Sequence, residues 1–225
     1  EQWAKKKVLD IGCGPGWFTK MYAQGGAQVT GMDITAKATQ TAKRYLKLRE
    51  LNSGNIIRGD GQKLPFENNS FDLVSSCGVI HHIPDPMAVF HEIKRVLKPQ
   101  GQARIALYYK NLLIRNRFFF KLMIWLLRIF KIQHYDVQSG VDPKTPEDFV
   151  RMYDGKNNPL GIAKKDSEWR VLFEDAGFEI IRTQVSYFPM RFFENFFWAK
   201  AVKRIHRFID SQFGFLIHYH LKLRS

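Results

Sequence analysis

Two periods of apolar residues organise this chain. Over the first half, short apolar runs at Lys7–Ile11, Gln28–Met32, Asn55–Arg58, Phe71–Ser76 and Gly101–Leu107 predict strands buried on both faces. Stretches with helical spacing lie between them. They predict helices from about Trp17 to Gln24, from Thr35 as N-cap toward Leu48, and from about Pro86 to Leu97. Strands joined by helical crossovers predict an α/β fold around a parallel sheet. The alternation breaks at Lys110–Lys165, which reads as an insertion: a basic amphipathic helix near Leu112–Ile132, then a stretch rich in Pro and Gly. It resumes with Asp166-Ser167 as the N-cap of a helix ending at Gly177, followed by a sixth strand, Phe178–Tyr187. After a helical segment, Phe215, Ile217, Tyr219, Leu221 and Leu223 alternate with Leu216, His218, His220, Lys222 and Arg224. Strict period-two spacing of this kind is a half-solvated strand.

Composition narrows the picture only in part. At 225 residues and 45% hydrophobic, the chain can bury one substantial core and is short for two. A single domain over 1–225 is expected. The formal net charge of +14 attracts nucleic acid, acidic lipid or an anionic substrate without choosing among them. Two cysteines, Cys13 and Cys77, cannot build a disulfide framework and predict a reducing, cytoplasmic compartment. The most apolar run, Phe118–Leu127, is too short to span a bilayer and contains Lys121. No secretory signal pattern is visible. Because Glu1 stands almost directly before the first strand, residues upstream of it are expected.

The densest chemistry lies in Val8-Leu9-Asp10-Ile11-Gly12-Cys13-Gly14-Pro15-Gly16, a strand running through an acidic residue into a glycine turn that opens a helix. Glycines at alternating positions let the backbone turn sharply and bring main-chain N–H groups and a helix N-terminus close to a ligand. A dinucleotide fingerprint needs its third glycine one place later. Trp17 stands there, which argues against a nicotinamide oxidoreductase. Further acidic residues end successive strands: Asp33 in Val29-Thr30-Gly31-Met32-Asp33-Ile34 and Asp60 in Arg58-Gly59-Asp60-Gly61-Gln62. Leu64-Pro65-Phe66, Ser70-Phe71-Asp72-Leu73-Val74, Gly78-Val79-Ile80-His81-His82-Ile83-Pro84-Asp85 and His91-Glu92-Ile93-Lys94-Arg95-Val96-Leu97-Lys98-Pro99 follow in order.

This series resembles the class I S-adenosylmethionine-dependent methyltransferases, in particular the subgroup with the ubiquinone and menaquinone C-methyltransferases and many small-molecule methyltransferases. The resemblance covers roughly the first half of the chain. It implies a Rossmann-like, seven-stranded, mostly parallel sheet with an antiparallel last strand beside the sixth, helices on both faces, and a helical insertion after strand 5. Residues 1–109 would form the cofactor-binding half, 110–165 a substrate lid, and 166–225 the end of the sheet. By resemblance, Gly12, Cys13, Gly14 and Gly16 would wrap the methionine part of S-adenosylmethionine, and Asp10 would orient that loop or meet the methionine amino group through water. Asp33, with Ile34 beside it, would hold the ribose. Asp60, Gly61 and Gln62 would hold the adenine, and Cys77 and Gly78 would line the sulfonium side. One departure is Pro99-Gln100-Gly101 in place of Pro-Gly-Gly, which predicts a slightly strained turn at Gln100.

Read singly, Asp33 and Asp60 could be solvated loop carboxylates, and Cys13 and Cys77 read as small buried residues rather than reactive thiols. Of His81 and His82, one is expected to pack or to cap the next helix. The other, His82 by resemblance, would face the transferred methyl as the candidate general base. Alignment of acceptor and methyl can by itself supply about 7–11 kcal/mol of the barrier. No metal-ligand cluster is visible, so no metal is expected.

The acceptor pocket is expected to involve Tyr108, Tyr109, the turn-rich stretch containing Tyr153, and the helix Leu112–Ile132. On that helix Arg117, Lys121, Arg128 and Lys131 share one stripe. Phe118, Phe119, Leu122, Met123, Trp125, Leu126 and Ile129 occupy the rest. It reads as a core-facing lid with a solvated basic edge, or as a helix lying on an anionic membrane surface, leaving the protein cytoplasmic or membrane-peripheral. Both point to a small, apolar acceptor. An RNA methyltransferase is the first rival, suggested by the charge. Ser75-Ser76-Cys77-Gly78 stands where base-amine methyltransferases carry an Asp/Asn-Pro-Pro-aromatic motif, and the aromatics are not spaced for base stacking, which argues against nucleic acid. A non-catalytic, membrane-peripheral cofactor-binding protein is the second.

Overall fold

A computed structural model of the chain describes residues 3–51, 54–129, 144–145, 148–149, 160–186, 208 and 211–224. Among these, seven strands form one sheet in the order β3-β2-β1-β4-β5-β7-β6. They are β1 (Lys7–Ile11), β2 (Gln28–Asp33), β3 (Gly54–Arg58), β4 (Phe71–Cys77), β5 (Leu97–Tyr108), β6 (Phe178–Ser186) and β7 (Leu216–Leu223). β1 runs parallel to β2 and β4, β2 to β3, and β4 to β5. β7 lies between β5 and β6, and its end meets the start of β6, where the Arg224 N–H donates to the Gly177 carbonyl at 3.0 Å. It therefore runs antiparallel. The Rossmann-like sheet is the one the sequence predicts.

The chain groups into two compact units, residues 1–106 with 170–182 and 219–225, and residues 107–169 with 183–218. In the first, α1 (Trp17–Gln24) and α2 (Ala36–Lys47) follow β1 and β2, and α3 (Pro86–Val96) precedes β5. The Thr35 hydroxyl caps α2, accepting from the Ala38 N–H at 3.3 Å. Tyr22 and Ala23 of α1 pack with Val8, Ala27, Val29 and Leu73, while Phe90 of α3 stacks on Phe173 with ring centroids 4.7 Å apart. Phe173 belongs to α6 (Asp166–Asp175), and its ring also meets that of Tyr219 of β7, with centroids 4.8 Å apart. Ile217, Tyr219 and Leu221 are buried while His218 and His220 are half-buried, the alternation read from the sequence.

In the second unit, α4 (Leu112–Arg115) and α5 (Arg117–Ile129) replace the single helix expected over Leu112–Ile132. Asn116 is the cause. Its backbone leaves the helical region (φ −91°, ψ 121°), and its side-chain oxygen accepts from the Phe118 and Phe119 N–H groups at 2.9 and 3.3 Å, so it starts a new helix. Asn111 caps α4 in the same way, while its amide donates to the Phe213 carbonyl at 2.7 Å. Phe120 and Ile124 of α5 are buried with Tyr108, Ile114, Phe149, Ala163 and Phe215. The core-facing part of the lid reading thus holds for Phe120 and Ile124, while Phe118, Phe119, Leu122, Trp125, Leu126 and Ile129 are exposed.

Two further expectations change. Asp166 is the first residue of α6 rather than its cap; Lys165 precedes the helix, its N–H donating to the Glu168 carboxylate at 2.8 Å. Gln100 does not have the positive φ of a strained turn. β5 begins earlier, at Leu97, and a register shift opposite Phe71 and Leu73 absorbs the extra residues. Phe130–Ile132, Tyr153, Tyr187 and most of the helical segment before β7 lie outside the described residues; of that segment, Phe208 and residues 211–213 are described and helical.

Candidate functional site

The glycine turn is shaped by what surrounds it. Gly12, Gly14 and Gly16 all have positive φ, at 69°, 51° and 90°. The Gly12 and Cys13 N–H groups both donate to the Met32 carbonyl at 2.7 and 3.0 Å, tying the turn to the end of β2. Asp33 completes that tie. One carboxylate oxygen accepts from the Gly14 N–H at 3.0 Å; the other accepts from the Thr35 N–H and hydroxyl at 2.9 and 3.0 Å. Two carboxylate oxygens offer about four acceptor positions, so one remains for a further donor. Ile34 beside it is 60% exposed.

β4 brings a second turn to the first. Asp10 pairs with Ser75, so Gly12 and Cys77, two residues further along each strand, leave the sheet side by side. A Cβ on Gly12 would stand 2.3 Å from a Val79 methyl, so the two turns touch. The Gly78 N–H donates to the Ala106 carbonyl at 3.0 Å, which holds the β4 turn against β5. A Cβ built on Gly14 or on Gly78 (φ 74°) would meet nothing within 4 Å. At both positions bare backbone faces open space, the arrangement by which a glycine turn admits a ligand.

Asp10 lies beneath this space. It is 2% exposed and accepts from the Thr19 hydroxyl of α1 at 2.6 Å, so it locks the helix to the strand. Burial pushes its carboxyl up from 3.8 to about 6, against the Thr19 hydrogen bonds. Between those values the folded chain holds more protons than the unfolded one, so stability falls as pH rises through that window and is constant above it. Asp10→Asn keeps the Thr19 hydroxyl bonded and cannot ionise. Its melting temperature is expected to exceed the parent's at pH 7.5, by the equivalent of about 1–3 kcal/mol, and to match it near pH 4. A lower value at pH 7.5 would show that the ionised carboxylate supports the fold. Burial likewise pushes the Cys13 thiol up to about 12 and the Cys77 thiol to about 11, with Asp10 adding to both, so both remain thiols at neutral pH.

The third turn carries Asp60, exposed, whose carboxylate accepts from the Gln62 N–H at 2.9 Å; Gly61 is buried against Ile11 and Ile83. Sequence reasoning missed what anchors this loop. Arg95 on α3 grips Glu92 with two bonds of 2.7 Å and donates to the Phe66 and Leu64 carbonyls at 2.7 and 3.0 Å. Glu92 in turn accepts from the Leu64 N–H at 2.7 Å. This two-pronged pair is specific in geometry, and it holds the Glu92 carboxyl below its usual range. The only signal in the sequence is a Glu and an Arg three apart on a helix.

The two histidines part company on the short helical turn Ile80–His82. His81 is fully buried, its ring packed edge-on against His82 at 4.2 Å, and burial holds its pKa well below 6.5, so it is neutral. His82 is half-buried. Neither caps α3. Asp85 does, accepting from the Met87 and Ala88 N–H groups at 3.0 and 3.2 Å. Tyr108, expected at the acceptor, is 5% exposed in the core of the second unit, its carbonyl accepting from the Trp169 indole at 3.0 Å. Tyr109 is half-buried, its N–H donating to the Phe215 carbonyl at 2.8 Å. Among the described residues no group of three or more His, Cys, Asp and Glu could hold a metal ion.

A parallel sheet with glycine turns at the carboxyl ends of β1 and β4 and carboxylates ending β2 and following β3 defines a class. Residues 9–105, less than half of the chain, match the family described as a methyltransferase domain. The chain is 33% identical over 135 residues to a ubiquinone biosynthesis O-methyltransferase of Idiomarina loihiensis, covering 57% of this chain and 49% of that protein. It is 37% identical over 98 residues to a demethylmenaquinone methyltransferase of Listeria welshimeri, covering 42% of each. The chain thus spans about half the length of the curated relatives it matches. In fold it is similar to a SAM-dependent methyltransferase from Methanosarcina mazei, with a TM-score of 0.65, 22% identity, and coverage of 98% of this chain and 94% of that one.

Proposed function

We propose that this protein methylates a small, lipophilic acceptor of the quinone class, using S-adenosylmethionine. The observation that carries the reading is the pair of left-handed glycines, Gly14 and Gly78, on touching turns, each with open space where a side chain would stand. That space fits a ligand needing close backbone approach on two sides. The relatives named for ubiquinone and menaquinone biosynthesis support the acceptor class.

In this reading the cofactor supplies a methyl group already activated by a sulfonium. Gly12, Cys13, Gly14 and Gly16 wrap its methionine part, and Asp10 acts through the loop by fixing α1 to β1. Asp33 holds the ribose with its remaining acceptor position, beside Ile34. Asp60, Gly61 and Gln62 take the adenine on a loop that Glu92 and Arg95 hold rigid. Cys77 and Gly78 line the side where transfer occurs, and alignment there is the main contribution to rate. His82, the more accessible of the two histidines, receives the acceptor's proton. Buried, neutral His81 positions it by ring packing. Tyr109 and Tyr153 are assigned to the acceptor's surroundings from the sequence reading, and Tyr108 to the core of the second unit. The protein works in the cytoplasm at the membrane periphery, and no metal takes part.

His82→Gln is expected to lower kcat about 10²–10⁴-fold with S-adenosylhomocysteine affinity unchanged. An equal fall in affinity would place His82 in cofactor binding instead. The reading as a whole is tested by incubating extract with the protein and a donor carrying an isotopically heavy methyl group. Label is expected in a small, lipid-soluble product; label in RNA, or none in any fraction, would overturn it.

A further inference from the structure

We infer that the outer face of α5 is a docking surface for an anionic membrane. α5 shows two apolar faces. Phe120 and Ile124 are buried, with Met123 packed partly against the same cluster. Phe118, Leu122, Trp125 and Ile129, spaced i, i+4, i+7 and i+11, form a second stripe on the other side, widened by Phe119 and Leu126. Trp125, 55% exposed, and Phe118, 69% exposed, are its most prominent members.

A surface helix of a water-soluble domain ordinarily turns its polar side outward. This one does the reverse. The polar residues sit between the two apolar faces, and they are all cationic: Arg117 and Lys121 form one exposed row, and Arg115 is exposed just before it. From Lys110 to Ile129 the chain has Lys110, Arg115, Arg117, Lys121 and Arg128, with no Asp or Glu. An apolar stripe bordered by cations, on a stretch of chain without Asp or Glu, is complementary to acyl chains below a negative headgroup layer. A protein partner would have to supply apolar and acidic surface in the same pattern, whereas an anionic bilayer has both everywhere. α5 is 13 residues long, and no helix among the described residues is long and apolar enough to cross a membrane. The helix would lie in the surface and not span it. Delivery of a lipophilic acceptor from that bilayer rests on the methyltransferase reading; the docking itself does not.

Flotation of the full chain with vesicles tests the inference, with S-adenosylhomocysteine binding measured on the same samples as a control for folding. The parent is expected to float with vesicles of phosphatidylglycerol and phosphatidylcholine in equal parts, and at least about tenfold less with phosphatidylcholine alone. Arg117→Glu with Lys121→Glu, and separately Leu122→Ser with Trp125→Ser, should each reduce flotation at least about tenfold while leaving S-adenosylhomocysteine binding at the parent level. Absence of flotation in the parent would overturn the proposal, as would flotation unchanged in both variants. A concentration-dependent dimer in the parent that Leu122→Ser with Trp125→Ser dissolves, without vesicle binding, would assign the face to a second copy instead. Loss of S-adenosylhomocysteine binding in the parent alone would count against the methyltransferase reading and leave the docking result standing.

Discussion

Gly12→Ala is expected to cost the fold about 2–5 kcal/mol, whereas Gly14→Ala costs it only about 1–2 kcal/mol and yet abolishes measurable S-adenosylhomocysteine binding. The two glycines have similar left-handed backbones, so each substitution carries the left-handed penalty of about 1–2 kcal/mol. They differ in what the new methyl meets. At Gly12 it would lie 2.3, 2.5 and 2.8 Å from three atoms of Val79, so the turns of β1 and β4 must move apart. Overpacking of that kind adds about 1–3 kcal/mol. The total is a large part of the ~5–15 kcal/mol by which a domain is stable. At Gly14 nothing lies within 4 Å, and the methyl fills only the space assigned to the cofactor. Urea unfolding and calorimetric titration separate the effects. Full cofactor binding by Gly14→Ala would show that this space serves something else.

Asp33→Ala should weaken S-adenosylhomocysteine binding at least tenfold while the protein stays folded. The carboxylate accepts three bonds from Gly14 and Thr35, so its loss frees the turn as well as removing the ribose acceptor. Charge-assisted bonds of this kind are worth about 1.5–3 kcal/mol each, and partial exposure reduces that figure. Asp33→Asn keeps an acceptor for Thr35 and is expected to fall between parent and Ala. Affinity unchanged in Asp33→Ala, read by titration, would remove Asp33 from the cofactor site. NAD is expected to give no heat with the parent.

Local chemistry made several elements legible in the sequence. Thr35 signals a helix start because its hydroxyl can reach an N–H three residues on, and the structure shows it bonded to Ala38. The run from Val8 to Gly16 signals strand, turn and helix because glycine alone tolerates the backbone required, and all three glycines adopt it. β7 was legible from period two alone. Other features looked local and were misjudged. The apolar period runs on through Asn116, and nothing in it reveals that an amide will cap a second helix there. Asp166 and Ser167 both resemble caps, yet the helix starts at Asp166, after Lys165.

The sequence by itself determined the strands, the glycine turn and the carboxylates that end β2 and follow β3, since each depends on residues within a few positions of one another. Only the tertiary structure decided the rest. Glu92 and Arg95 anchor Leu64 and Phe66, roughly thirty residues away, through bonds that no periodicity encodes. His81 and His82 are alike as neighbours in sequence, and only packing buries the first and leaves the second accessible. Periodicity on α5 shows that its apolar residues form stripes. Which stripe meets the core and which meets the surroundings depends on where Phe149 and Phe215 arrive from distant parts of the chain. Burial is a property of the neighbours a side chain acquires, and those are chosen by the whole fold.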